Sequence, residues 1–157
     1  EVTTVNGTSY REIIEHNGGA AIAALTNDRK LVMVKQFRKP SDRVMLEVPA
    51  GKRDGKEAGL DVARRELKEE TGYSAKSMTY LTSIFPAIGY SEEVLDIYLA
   101  EDLAAGETDF DDNEAIDILE IPLEELVDMI MAGKIEDAKS IVAIMMTAEV
   151  LRRRSDG

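Results

Sequence analysis

The chain has 157 residues, a net charge of −12 and 44% hydrophobic content, which suits one domain with a buried core. It has no cysteine and one histidine, His16; this excludes disulfide frameworks, thiol nucleophiles and zinc–thiolate sites, disfavours a His-based triad, and makes the cytoplasm the expected compartment. The acidic balance has the wrong sign for a nucleic-acid partner, and no apolar run approaches the roughly 20 residues of a membrane helix.

No internal repeat or linker divides the sequence, so residues 1–157 are expected to form a single domain. The chain starts at Glu1 without an initiator Met, which leads us to expect further strand material upstream. Ser9 to His16, Gly19 to Thr26 and Leu31 to Phe37 read as strands, the last two joined by a turn at Thr26-Asn27-Asp28. Val44 to Val48 reads as a short strand stopped by Pro49-Ala50-Gly51. Glu57 to Thr71 reads as a helix closed by Gly72. Strands return at Met78 to Phe85, Val94 to Ala100 and Ala115 to Ile121. Two helices follow, one between Pro122 and Gly133, the other from about Glu136 to Arg153. This order points to a mixed sheet with helices on both faces.

The central helix carries the chemistry. At about 100° per residue, Leu60, Ala63 and Leu67 form the expected buried stripe, leaving Val62 unaccounted for. Glu66 and Glu70 stand together to one side of it, at i and i+4. Two like charges at that spacing are mildly destabilising, a cost that a bound hard cation would reverse. The plainer alternative is a solvated charged face with Arg65 and Glu69 as an i,i+4 pair.

Spacing adds weight to the first reading. From Gly51, five residues lead to Glu57, seven more to Arg65-Glu66, then Leu67, Lys68, Glu69-Glu70, Thr71, Gly72 and Tyr73. The segment resembles the Nudix box at every fixed position but the last, where the family prefers an aliphatic residue and this chain has Tyr73. The resemblance implies an α/β (α+β) fold, the Nudix-type α/β/α sandwich with a mixed β-sheet. It also implies hydrolysis of a nucleoside diphosphate linked to another moiety, by water held on several Mg²⁺ or Mn²⁺ ions, two or more per site. Carried over by position, Glu66 and Glu70 would be metal ligands and Glu69 a ligand or a catalytic group beside them. The carbonyl of Ala50 would complete a coordination sphere, and Glu57 and Arg65 would serve catalysis by orienting loop and helix. Carboxylate oxygens suit such ions, clustered ions activate water, and Gly51 lets the backbone approach closely.

Other stretches resemble the ADP-ribose pyrophosphatase branch of that family. These are Gln36-Phe37-Arg38, Glu47-Val48-Pro49-Ala50-Gly51 and Gly89-Tyr90-Ser91-Glu92-Glu93. The branch places a proline directly before the last motif, where this chain has Ile88 and carries Pro86 two residues earlier. By this resemblance Arg38, Gly51, Gly89 and Glu93 would contact a nucleoside diphosphate sugar, ADP-ribose first, cleaved to AMP and a sugar phosphate. Another nucleotide sugar or a dinucleotide is the alternative substrate. A non-catalytic nucleotide-sensing domain is the alternative function, against which the intact Glu66, Glu69 and Glu70 stand. Between Glu101 and Glu125 there are eleven acids and no Lys or Arg, for most of them a solvated loop. The stretch Asp109 to Glu114 resembles the family loop supplying a catalytic carboxylate, with Asp112 as base and Glu114 as a further metal ligand. The branch commonly pairs through N-terminal strands, which implies a homodimer.

Competing motifs fail on single residues. An EF-hand from Asp109 needs glycine at its sixth position and meets Glu114. A P-loop from Gly51 lacks a spacer and the Ser or Thr after Lys56. A nucleophile elbow at Gly89 needs glycine where Glu93 stands.

Overall fold

The computed structural model describes residues 2–5, 7–106 and 117–157. Strand β1 (Val2–Thr4) pairs with β2 (Gly7–Ser9) as a separate antiparallel hairpin. Strand β3 (Gly19–Ala24) is followed by β4 (Lys30–Arg38), β5 (Arg43–Glu47) and β6 (Ala50–Lys52). Helix α1 (Gly59–Thr71) leads into β7 (Tyr73–Ile84) and β8 (Leu95–Ala105). After β9 (Asp117–Pro122) come helices α2 (Leu123–Met131) and α3 (Ala138–Ser155). A four-stranded sheet runs β6-β3-β8-β7 and a three-stranded antiparallel one runs β5-β4-β9. The first is mixed, because β3 and β8 are parallel while their outer partners are antiparallel. Among the described residues, no helix is long and apolar enough to cross a membrane.

Strand β3 organises the layers. Its sequence Gly-Ala-Ala-Ile-Ala-Ala is buried at every position, and its period of two sends alternate side chains to opposite faces. Ala20, Ile22 and Ala24 pack with Val62, Ala63 and Leu67 of α1. Ala21 and Ala23 pack with Ala143 and Ile144 of α3 and with Leu126 of α2. The result is the expected α/β/α sandwich. Small side chains on the central strand bring both helix layers close to the sheet.

Several element boundaries differ from those expected. Tyr10, Ile13 and Ile14 are exposed, and among the described residues Ser9 to His16 forms no ladder beyond Ser9, with a single bridge from Ile14 to Ser91. A strand-like pattern needs a partner strand, and the described fold offers this segment none. Conversely, Pro49-Ala50-Gly51 does not end strand structure: Ala50 to Lys52 pairs with β3 through Gly51–Ala20 and Lys52–Gly19. A Cβ on Gly19 would overlap the carbonyl oxygen of Gly51, so this approach requires glycine. Helix α1 starts two residues later than expected, after extended Ala58 (φ −71°, ψ 145°). It stops as expected at Gly72, whose left-handed φ of 73° lets its amide reach the Lys68 carbonyl.

The buried arc of α1 also corrects the wheel. Val62 is fully buried and Leu60 is 37% exposed. The arc from Val62 to Leu67 spans about 140°, and Glu66 and Glu70 fall inside it. Leu60 shares the direction of buried Thr71 but stands in the first turn, where that side of the helix is uncovered. The carboxylates therefore face inward.

Enlarging Ala23 to leucine should overpack the layer between β3 and α3 and destabilise the protein by roughly 1–3 kcal/mol. Urea denaturation of the A23L variant would measure this, as a lower midpoint at unchanged slope.

Candidate active site

An open cleft of about 950 Å³ lies where α1, β6, the end of β4, the loop before β8 and the start of α3 meet. Gly51 lies under Glu66: a Cβ there would overlap the Glu66 carboxylate carbon and both its oxygens. Glycine is thus the only residue that lets α1 set this carboxylate against β6.

Arg65 gathers the acids. Its Nε and Nη2 donate to Glu57 Oε1 and Oε2 at 3.2 and 3.0 Å, and its Nη1 donates to Glu66 Oε1 at 2.6 Å and Glu69 Oε2 at 3.0 Å. Nη2 also reaches the Lys52 carbonyl at 2.9 Å, so one guanidinium ties helix to loop. It holds the Glu57 carboxyl below the usual carboxylate range. Burial pushes Glu66 the other way, raising its pKa despite Arg65, since desolvation disfavours its charged form. Glu70 Oε2 accepts from the Ala50 amide at 3.1 Å. The two hydrogen bonds from Arg65 turn Glu66 and Glu69 toward it, and among the described residues no three acidic side chains form an ion cage by themselves. The residues nevertheless fit a divalent cation: the donors are all hard oxygens, glycine leaves room beside them, and half-buried Glu66 gains from added positive charge.

Across the cleft, Arg38 Nε and Nη2 bind Glu47 bidentately at 2.7 and 2.8 Å. Lys139 Nζ also donates to Glu47, and to Asp137 Oδ2 at 3.0 Å. Glu47 is buried, its side chain 3% exposed. Burial pushes its carboxyl up, and hydrogen bonds and charge from Arg38 and Lys139 outweigh this, leaving its pKa below the usual range. Asp137 caps α3 by accepting from the Ser140 amide, and the Ser140 hydroxyl accepts from the Val48 amide at 2.9 Å.

Of the positions named from sequence, Arg38, Ala50, Gly51, Arg65, Glu66, Glu69, Glu70 and Glu93 line this cleft. Glu57 reaches it through Arg65. Glu93 stands 3.7 Å from His16 Nε2, while His16 Nδ1 accepts from the Gly18 amide. Gly89 is exposed in its loop and does not line the cleft. Asp112 and Glu114 lie outside the described residues. Asp137 and Lys139 went unread as site residues. Asp137 has an N-cap signal, three residues before Ser140, but nothing local links Lys139 to a glutamate 92 positions earlier.

The chain matches the family model described as NUDIX domain over residues 16–143. It is 40% identical over 147 residues to the ADP-ribose pyrophosphatase of Bacillus subtilis (strain 168), covering 92% of this chain and 80% of that protein. With the same coverage it is 39% identical to the methanol dehydrogenase activator of Bacillus methanolicus. A crystal structure of an ADP compounds hydrolase matches with a TM-score of 0.85 at 23% identity, covering 97% of this chain and 83% of that one. At that identity the likeness bears on the fold alone.

A carboxyl with a lower pKa in the folded chain stabilises it above the unfolded value, near 4.5 for Glu47, and the contribution is lost as pH falls through the folded value. At pH 7 Glu47→Gln should cost roughly 3 kcal/mol, because Lys139 and Arg38 lose their counter-charge. The gap to wild type should close as pH falls below about 4. Melting temperatures of both proteins across a pH series would measure this; a gap independent of pH would assign the loss to packing.

Proposed function

Since the chain belongs to the Nudix hydrolase family, we propose that its cleft hydrolyses the diphosphate linkage of ADP-ribose or a related nucleoside diphosphate sugar, releasing AMP and a sugar phosphate. The observation that carries this is the grouping of Glu66, Glu69 and Glu70 around Gly51 in one cleft with the cationic side chains of Arg38, Lys52 and Lys139. A diphosphate needs positive charge on its oxygens and an activated water on the opposite side of the phosphorus. The 40% identity to an ADP-ribose pyrophosphatase supports the choice of substrate.

In this reading residues 1–157 act as one domain. Glu66 and Glu70 would hold Mg²⁺ or Mn²⁺, two or more ions per site, with Glu69, the carbonyl of Ala50 and Glu114 completing the donors. When bound, such ions neutralise the diphosphate and lower the pKa of an attacking water. Asp112 would take the proton from that water. Arg65 holds Glu66 and Glu69 through one nitrogen, and Glu57 fixes Arg65. Arg38, held flat by Glu47, presents its remaining donors to substrate, and Glu93 lines the opposite wall. Gly89 would act only through the loop that carries Glu93.

With Mg²⁺ or Mn²⁺, a panel of nucleoside diphosphate conjugates should show ADP-ribose giving AMP and a sugar phosphate. Glu70→Gln should lower turnover at least ~10²-fold with little change in melting temperature. Near wild-type turnover in that variant would sink the assignment of the carboxylates; turnover of only a different conjugate would revise the substrate.

The same reading includes a homodimer. A separate two-stranded hairpin and exposed Val2, Tyr10, Ile13 and Ile14 support it, since sheet edges and apolar side chains invite pairing with another chain. Light scattering at micromolar concentration should give twice the chain mass, and a monomer mass would rule the dimer out.

A further inference from the structure

We propose that Arg53 and Asp96 form a positioning pair that sets the N-terminal end of α1, and with it the carboxylates of the candidate metal site; this rests on the metal-binding reading above. Asp96 lies on β8, opposite Ala20 of β3 and Ser83 of β7. Its neighbours on the same face, Tyr98 and Ala100, are buried under α1. A carboxylate on such a face is costly unless paired, and each Asp96 oxygen has a partner. Oδ2 accepts from Arg53 Nη2 at 2.5 Å, and Oδ1 accepts from the Ser83 hydroxyl at 2.6 Å. The two side chains are 15% and 28% exposed, so water screens the pair little.

Two further observations tie this pair to the helix. The N-cap residue of α1 is Ala58, which makes no side-chain cap. A Cβ on Gly59, the first helical residue, would overlap Asp96 Oδ2. The Asp96 carboxylate therefore lies against the open end of α1, where negative charge is favoured by the exposed amides. Arg53 is anchored from its own side, its amide donating to the Gly18 carbonyl at 3.0 Å. Its Nε is buried with no hydrogen-bond partner among the described residues, and its Nη2 holds Asp96. The preceding residue, Lys52, gives its carbonyl to Arg65. The segment 52–59 is thus held from above by Arg65 and from below by Asp96, and the angle at which α1 leaves it decides where Glu66 and Glu70 arrive.

The test is Mn²⁺ binding, followed by electron paramagnetic resonance without substrate, alongside melting temperatures without metal. Arg53→Met and Asp96→Asn should each weaken Mn²⁺ binding about tenfold, and the double variant no more than the weaker-binding single, because the two act as one unit. Gly59→Ala should do the same without touching either charge. Arg53→Lys keeps a cation opposite Asp96 and should recover most of the affinity. Arg154→Met, which breaks the Arg154–Glu101 pair at 2.7 Å on the far side of β8, is the stability control and should leave Mn²⁺ binding unchanged. The proposal is overturned if the pair variants bind Mn²⁺ within twofold of wild type, or if affinity merely follows melting temperature across all variants, the control included. A wild-type chain that binds no Mn²⁺ would overturn the metal reading and this pair with it. Wild-type binding that falls with Glu70→Gln but not with the pair variants would overturn the pair alone.

Discussion

Several carboxylates on one helix can be pressed against the edge of a sheet only if something positive stands among them and something small lies beneath them. Arg65 and Gly51 meet these two needs. Arg65 donates to three carboxylates and to the Lys52 carbonyl. Gly51 leaves the space that the Glu66 carboxylate occupies. Without the arginine, Glu66 would face desolvation and like charge together, the condition that already raises its pKa. Without the glycine, the Glu66 carboxylate could not lie against β6. The rest of the site is arranged around that approach.

The second constraint is the thinness of the central layer. Four alanines in β3 serve two helix layers at once, through alternate faces. Larger residues would hold α1 and α3 further from the sheet, and both helices line the cleft. Close packing here is therefore a condition for the distances across the site.

The opposite wall is built by a different logic. Glu47 is a buried carboxylate that exists to be paired: Arg38 grips it edge-on and Lys139 reaches it from the first turn of α3. The same turn uses Asp137 to cap its helix and Ser140 to hold the Val48 amide. One wall of the cleft thus gathers carboxylates around an arginine, and the other gathers Arg38 and Lys139 around a buried glutamate. Such an arrangement suits a ligand with a charged middle that must be neutralised from one side and oriented from the other.

Much of this was legible in the chain itself. The residues from Gly51 to Gly72 announce helix, stop and carboxylates, because the constraints there are local: a glycine that must be small, i and i+4 acids, and a left-handed cap. The β3–β4 turn and the late helices are local in the same sense. Which way α1 faces was not, since Val62 and Leu60 differ in burial through what lies over each, a matter of the sheet's extent. Nor could local pattern show that Ser9 to His16 lacks a partner strand, or that Ala50 to Lys52 finds one. Lys139 joins the cleft through a contact with a residue far away in sequence. The sequence by itself determined the chemistry available, oxygen ligands on a helix beside a glycine. Only the tertiary structure decided which charges face one another, because pairing across layers depends on how strands and helices stack and leaves no periodic trace in the chain.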